Sequence, residues 1–218
     1  MVQAIVRATQ TQAKTVQIYF KQNLAFLAVP KTGTTAYEMA LRGEADIIFA
    51  KRRKHMTAGQ FQRRMMPFLK GFYDLEPERM AIMRDPIEQI RSWYRYRTDP
   101  KRNSRTEGLS FDEFVLATMQ DPEPPLAAIG SQYGFLTMAD GHQPLEHLFA
   151  YGHQNLIRGW LSDRFGKDLK FPEKNVSPDR PAPLSPKVEH RLRQARAAEF
   201  ELYDRILQAG GHLNPNKR

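Results

Sequence analysis

Residues 24–40 read LAFLAVPKTGTTAYEMA, an apolar run followed by a short loop and a helical pattern. Leu24–Val29 has the length and apolarity of a buried parallel strand. Pro30 ends that strand, and Gly33 permits a tight turn into the helix. A strand, a loop and a helix in this order indicate an α/β protein.

The loop between this strand and helix predicts an anion-binding site. Thr34 or Thr35 can cap the helix, whose free amides and positive dipole end would face outward beside the ammonium of Lys31. The triphosphate loop G-x-x-x-x-G-K-[ST] is absent, because Lys31 precedes the single glycine, Gly33. The loop therefore favours an anionic nucleotide held by direct positive charge, without a bridging metal. The alternative is a proline–glycine turn that binds nothing.

A second candidate anion site follows a short predicted strand, residues 80–83. Ligands of open parallel sheets collect beyond the carboxyl ends of the strands, and Arg84 lies at such an end. Its guanidinium can make two parallel bonds to a phosphate, and Ser92, about two helical turns later, can donate a hydroxyl. The alternative interpretation is that Arg84 is an ordinary surface cation and that Asp85 caps the helix that follows. Two such sites together suit a nucleotide with phosphates at both ends of its ribose.

Composition indicates one α/β domain, residues 1–218. The chain has 218 residues and no cysteine, which excludes disulfides, thiolate metal sites and a cysteine nucleophile. Residues 1–14 are polar, so neither a signal peptide nor a membrane span is indicated, and we expect a cytoplasmic protein. The net charge of +9 favours anionic ligands but does not choose among nucleotide, acidic glycan and nucleic acid.

Strands alternate with helices along the chain, which predicts a mainly parallel sheet covered by helices on both faces. A three-residue turn at 21–23 predicts a hairpin between the first two strands. The predicted strands are 16–20, 24–29, 46–50 and 80–83, and the predicted helices are 34–42, 57–68, 86–96, 111–119, 154–165 and 186–208, with a short apolar segment at 133–137.

Pro30–Thr35 and the Arg84…Ser92 element resemble the two nucleotide-binding signatures of sulfotransferases that use 3′-phosphoadenosine 5′-phosphosulfate. The order and spacing of the two elements also match, and the closest likeness is to bacterial and Golgi-type carbohydrate sulfotransferases. One departure is Thr34, where many relatives have a second glycine. Smaller similarities, spread over most of residues 18–207, are Lys54–Ala58, Ser131–Tyr133, Asn175–Ser177 and Leu202–Tyr203.

The resemblance implies a three-layer fold of the P-loop, nucleotide-kinase-like type and a role for each element. Lys31 and the amides of Thr32, Gly33, Thr34 and Thr35 would hold the 5′-phosphosulfate, while Arg84 and Ser92 would hold the 3′-phosphate. Lys31 would also neutralise charge on the bridging oxygen as the sulfuryl group leaves, an effect worth about 3 kcal/mol. No metal is required, and the acceptor would be a hydroxyl, expected on a carbohydrate.

Transfer to a hydroxyl needs a general base. His55 follows the third strand and can lie on the same rim of the sheet as Lys31. Its basic neighbours Lys51–Lys54 favour a neutral imidazole, although a histidine in a basic run is more often a surface residue. The weaker candidates for this base are Glu44, Asp85, Glu88, His142, His147 and His153.

Two other functions remain open from the sequence. One is a magnesium-dependent P-loop kinase of a small molecule or nucleotide, and the other is a basic protein that binds nucleic acid without catalysis. We expect no nucleic-acid partner, because no aromatic platform accompanies Lys51–Lys54. Trp93 and Tyr96 either stack on a sugar or adenine or face the core. Acceptor choice is expected to depend on loops at 51–60, 98–108 and 121–147.

Overall fold

A computed structural model describes residues 16–49, 55–99, 108–171 and 181–215. Its centre is a six-stranded mixed sheet with the strand order β3-β1-β2-β4-β5-β6. The strands are β1 (Val16–Tyr19), β2 (Leu24–Leu27), β3 (Ile47–Phe49), β4 (Glu78–Met83), β5 (His147–Ala150) and β6 (His212–Leu213).

The sheet is parallel at its centre and antiparallel at both sides. Strand β4 runs parallel to β2 and to β5, whereas the β1–β2, β1–β3 and β5–β6 pairs are antiparallel. The prediction of a mainly parallel sheet is therefore wrong outside the central three strands. The predicted hairpin at 21–23 is confirmed, and it forces β1 to run against β2 because so short a turn cannot join parallel strands.

Helices lie between the strands in the chain. The helices are α1 (Thr34–Leu41), α2 (Ala58–Gln60), α3 (Met66–Tyr73), α4 (Pro86–Arg97), α5 (Phe111–Ala117), α6 (Gln132–Leu136), α7 (Gln154–Phe165), α8 (Pro186–Ala195) and α9 (Ala197–Gln208). A π-helical turn, Phe61–Met65, joins α2 to α3, so the predicted helix at 57–68 is present but longer.

Alternate residues of the central strands enter different apolar clusters, so helices cover both faces of the sheet. On one face Leu27 and Met83 pack with residues of α3, α6 and α9. On the other face Phe26 and Ile82 pack with residues of α1 and α7. A third cluster joins α4, α5 and α8 beside the sheet.

Two parts of the fold differ from the sequence prediction. Strands β5 and β6 are absent from the sequence prediction; β6 has two residues and pairs antiparallel with β5. The helix predicted over residues 186–208 is broken at Arg196, where φ is −120° and ψ is 32°. The Arg196 guanidinium donates to the carbonyls of Thr118 and Gly130, and these contacts hold the break.

Within the described ranges, no helix combines the length and the apolarity that crossing a membrane requires.

Candidate functional site

The loop between β2 and α1 turns through two left-handed residues. Lys31 and Gly33 both have a φ of 69°, a conformation that costs a lysine about 1–2 kcal/mol. The Thr32 hydroxyl is buried and donates to the Val29 carbonyl at 2.9 Å. These contacts fix the backbone path that carries the lysine around the end of the strand.

Helix α1 begins directly after this loop, with Gly33 as its N-cap and no side-chain capping bond. The prediction that Thr34 or Thr35 caps the helix is therefore wrong. Both threonines are buried inside the first turn, because the left-handed glycine lets the helix start one residue earlier. Since Gly33 has no side chain to cap these first-turn amides, they are the donors that an anion at this helix start would use.

Tyr151 covers the loop from the carboxyl end of β5. A Cβ atom on Gly33 would lie 2.7 Å from Tyr151 Cε2, so the tyrosine ring leaves no room for a side chain there. The backbone amide of Tyr151 donates to the Met83 carbonyl, which continues the β4–β5 pairing beyond the strands. Glycine is thus required at position 33 both by its φ and by its neighbour.

Arg84 lies at the carboxyl end of β4, and Gln132 of α6 holds its backbone on both sides. The Arg84 amide donates to Gln132 Oε1 at 2.9 Å, and Gln132 Nε2 donates to the Arg84 carbonyl at 2.8 Å. The Gln132 amide in turn donates to the buried carboxylate of Glu199 at 3.0 Å, and burial raises the pKa of Glu199. This chain of contacts places the arginine at the strand end.

Helix α4 begins after Arg84 with a capping bond from Asp85, whose Oδ1 accepts from the Glu88 amide at 2.9 Å. The prediction that Asp85 caps this helix is confirmed. Tyr203 of α9 lies behind the cap. Burial raises the pKa of Tyr203, the charge of Asp85 raises it further, and the charge of Arg84 opposes both effects.

The two predicted anion-binding elements meet at one rim of the sheet. Arg84 Nη1 lies 3.5 Å from the Lys31 carbonyl oxygen, at the long limit of a hydrogen bond. Gln89 Nε2 on α4 donates to the Pro30 carbonyl at 3.4 Å, so the loop is bonded both to Arg84 and to the helix that follows it. The Arg84 guanidinium also lies 4.8 Å from the centroid of the Tyr151 ring. Its Nη2 forms an ion pair with Glu88 Oε2 at 3.6 Å.

No family model matches this chain, and searches of curated proteins and of solved structures likewise return no significant match.

Lys31 extends from the loop over the aromatic side chains of α4. Its Nζ lies 4.3 Å from the centroid of the Tyr96 ring and 5.5 Å from that of Trp93. Both distances are within the range of a cation–π interaction. Ser92, the residue before Trp93, is buried on the same helix. Lys31 thus lies against the helix that carries Ser92, and joint binding of one ligand by the two elements stays a prediction.

His55 lies at the same end of β2, where its Nδ1 is 3.1 Å from the Ala28 carbonyl oxygen. Because a carbonyl can only accept, Nδ1 carries the proton in a neutral imidazole, and Nε2 then has a lone pair for a second proton. That tautomer is the one that a general base needs. Its neighbours Lys51–Lys54 lie outside the described residues.

The other candidate bases are committed to other contacts or lie elsewhere. His147 is the first residue of β5 and therefore lies at the opposite rim of the sheet from Lys31. Glu44 pairs with Lys167 at 2.5 Å, and Glu88 pairs with Arg91. His153 caps α7 and packs against Gly211, and His142 is exposed in a turn after Met138.

The sequence did not identify Tyr151, Gln89 or Gln132 as site residues. Gln132 belongs to the Ser131–Tyr133 similarity, which gave a weak signal, whereas Tyr151 and Gln89 gave none. The described residues contain no group of three or more histidine or acidic side chains arranged to hold a metal ion. The site contains the cations Lys31 and Arg84, the ring of Tyr151 and the amino end of α1. This arrangement is suited to an anion.

Proposed function

We propose that this protein is a sulfotransferase that moves the sulfuryl group of 3′-phosphoadenosine 5′-phosphosulfate to an acceptor hydroxyl, on a carbohydrate. The observation that carries the proposal is the meeting of the two signature elements. Motifs 53 residues apart in sequence converge until Arg84 Nη1 is 3.5 Å from the Lys31 carbonyl oxygen. One nucleotide with phosphates at both ends of its ribose can then engage both.

The proposal includes a fold of the P-loop, nucleotide-kinase-like type. Two observations support this fold. Strand β2 leads through a left-handed loop into α1, and β4 lies beside β2 and runs parallel to it. The amides at the start of α1 and the ammonium of Lys31 would hold the 5′-phosphosulfate. Arg84 and the Ser92 hydroxyl would hold the 3′-phosphate, with Gln132 fixing the arginine backbone.

The reaction would be an in-line displacement at sulfur. His55 Nε2 would take the proton of the acceptor hydroxyl, whose oxygen forms a bond to sulfur while the bond from sulfur to the 5′-phosphate oxygen breaks. The electron pair of that bond goes to the departing phosphate oxygen, where the Lys31 ammonium would neutralise the new charge. The products are the sulfated acceptor and adenosine 3′,5′-bisphosphate.

The kinase alternative needs a carboxylate for magnesium near the phosphates. At the end of β4 that place is taken by Asp85, which is already used as the cap of α4. A transferring sulfuryl group carries less charge than a terminal phosphoryl group, so cationic side chains and helix amides are adequate partners for it. The arrangement thus favours the sulfotransferase over the kinase.

Thermal unfolding with different nucleotides tests the proposal. Adenosine 3′,5′-bisphosphate with EDTA, at 100 times its Kd, should stabilise the protein by about 2.7 kcal/mol. For a domain of this size that corresponds to a rise in Tm of about 5–10 °C. ATP with magnesium should have a much smaller effect. A larger shift with ATP and magnesium would support the kinase, and a salt-sensitive shift with nucleic acid alone would support a binding protein.

A further inference from the structure

An aromatic surface on α4 adjoins the proposed donor site and has no role in the mechanism above. Trp93 and Tyr96 pack edge to face, with ring centroids 5.8 Å apart and an interplanar angle of 87°. Tyr96 is 38% exposed, and Arg97 lies 5.5 Å from the Trp93 centroid. Sequence analysis left open whether these rings face the core or a ligand; the exposure of Tyr96 places this end of the pair at the surface.

The indole of Trp93 carries a donor that no residue of the described ranges accepts. Trp93 Nε1 is buried and has no hydrogen-bond partner within the described part of the chain. Buried polar groups are nearly always satisfied, so an unsatisfied N–H beside a cationic site indicates a ligand atom or water. An oxygen of a bound molecule would satisfy it.

We propose that the Trp93–Tyr96 pair is the acceptor-binding surface, on which a sugar ring of a carbohydrate stacks, and that Lys31 covers it until the donor binds. This inference rests on the proposed function. Lys31 Nζ, 4.3 Å from the Tyr96 centroid, is the group assigned to the departing phosphate oxygen. Because one side chain reaches both places, the rings lie beside the sulfuryl group, where an acceptor must approach.

The chemistry of the surface favours a sugar. The C–H face of a pyranose packs on the electron-rich face of an aromatic ring, and the indole N–H can donate to a hydroxyl or carboxylate oxygen. The adenine of the donor is a poorer occupant. It is attached to the ribose, and the 5′-phosphate separates it from the sulfuryl group near Lys31.

An order of binding follows from this geometry. While the Lys31 ammonium lies over Tyr96, a sugar ring cannot stack there. The phosphosulfate, which carries full negative charge, attracts the ammonium more strongly than a ring quadrupole does. Donor binding therefore uncovers the rings, and the donor is expected to bind before the acceptor.

Tryptophan fluorescence tests the uncovering step directly. The chain has two tryptophans, and Trp160 packs beside His147 at the other rim. In the Trp160→Phe variant all tryptophan emission comes from Trp93. Titration with adenosine 3′,5′-bisphosphate should change that emission at the concentration where calorimetry detects binding. Binding by calorimetry without a change in emission overturns the inference, whereas absence of binding overturns the proposed function.

Kinetics with labelled donor test the acceptor role. The acceptors are hexose, N-acetylhexosamine and hexuronate oligosaccharides, with 4-nitrophenol as the non-sugar alternative. Tyr96→Ala should raise the acceptor KM at least tenfold for the sugar that is sulfated, and Trp93→Phe should raise it less. Both should leave the affinity for adenosine 3′,5′-bisphosphate unchanged or higher.

Phe72→Ala is the matched control, because Phe72 is an exposed helical aromatic, 73% accessible, on α3. Phe72→Ala should leave the acceptor KM and the affinity for adenosine 3′,5′-bisphosphate unchanged. Sulfation of 4-nitrophenol alone, no sulfation of any sugar, or an unchanged acceptor KM in Tyr96→Ala would each overturn the assignment of this surface to a carbohydrate.

Discussion

The two ends of the central strands carry their charges differently. At the amino ends of β4 and β5, cations meet carboxylates: Arg79 pairs with Glu146, and Arg164 pairs with Glu78 at 2.5 Å. At the carboxyl ends, Arg84 pairs with Glu88 at 3.6 Å, and Lys31 lies over the rings of Trp93 and Tyr96. The amino-end rim holds close ion pairs between segments distant in the chain, whereas the Arg84–Glu88 pair at the carboxyl-end rim is longer and joins residues four apart.

The contrast indicates what each rim does. Close pairing cancels the field of a charge and ties neighbouring strands together. A guanidinium held at a longer distance from its carboxylate, and an ammonium over a ring, can still attract an anion from solution. We therefore expect the carboxyl-end rim to bind the proposed nucleotide and the amino-end rim to contribute to stability.

The largest expected effect is on turnover, at Lys31. The Lys31→Ala variant should lower kcat by about 10²–10³-fold, because one preorganised cation at the departing oxygen is lost. Lys70→Ala, which removes an exposed lysine that pairs with Asp74 and Glu76, is the control. A Lys31→Ala enzyme as active as the control would remove this lysine from the chemistry.

A smaller effect is expected on binding when an arginine is changed at each rim. Arg84→Gln should weaken binding of adenosine 3′,5′-bisphosphate by about 10–100-fold, the value of a charge-assisted bond. Arg164→Gln should leave that affinity unchanged and lower the free energy of unfolding by at most about 1 kcal/mol, since its pair is partly exposed. Calorimetry measures the affinity for adenosine 3′,5′-bisphosphate, and urea unfolding measures the free energy of unfolding. Equal losses of affinity in both variants would show that the rims do not differ.

The smallest effect is a pH dependence at the amino-end rim. His147 lies between His212 at 3.0 Å and Glu78 at 3.3 Å. Burial lowers the pKa of His147 below its ordinary 6.5, although the contact with Glu78 opposes the shift. Burial alone would raise the pKa of Glu78, but the His147 bond and the Arg164 charge outweigh it and lower that pKa.

Both shifts act in the same direction on stability. Below pH 6.5 the unfolded chain binds a proton at His147 that the folded chain resists, so the free energy of unfolding falls as the pH falls through this window. Glu78 adds a further loss at more acidic pH. Urea unfolding at several pH values should show a shallower slope below pH 6.5 for His147→Gln than for the wild type. His190→Gln, at an exposed position, should retain the wild-type slope.

The local parts of the site were predictable from the sequence, because short-range chemistry dictates them. Pro30 and Gly33 mark the turn, an apolar run marks the strand before it, and Asp85-Pro86 marks the start of a helix. Arg84 at a strand end followed from the strand that precedes it. The positions of Lys31 and Arg84 on one rim required only that β2 and β4 be parallel, which the alternation of elements indicated.

Other features had no local signal. Tyr151 packs on Gly33 from 118 residues away, and Gln132 reaches Arg84 across 48. The break at Arg196 interrupts an apolar pattern that continues through it, so periodicity alone predicts one helix. The Thr34 and Thr35 caps were wrong because the φ of Gly33 decides where the helix begins.

The sequence by itself determined the α/β class, the turn from β2 into α1 and the arginine that follows the fourth strand, since each depends on residues close together in the chain. Tertiary structure alone decided that β5 and β6 run antiparallel, which rings lie over Lys31 and which charged side chains meet at each rim. These depend on contacts between distant segments, whose free energy appears only when the sheet brings them together.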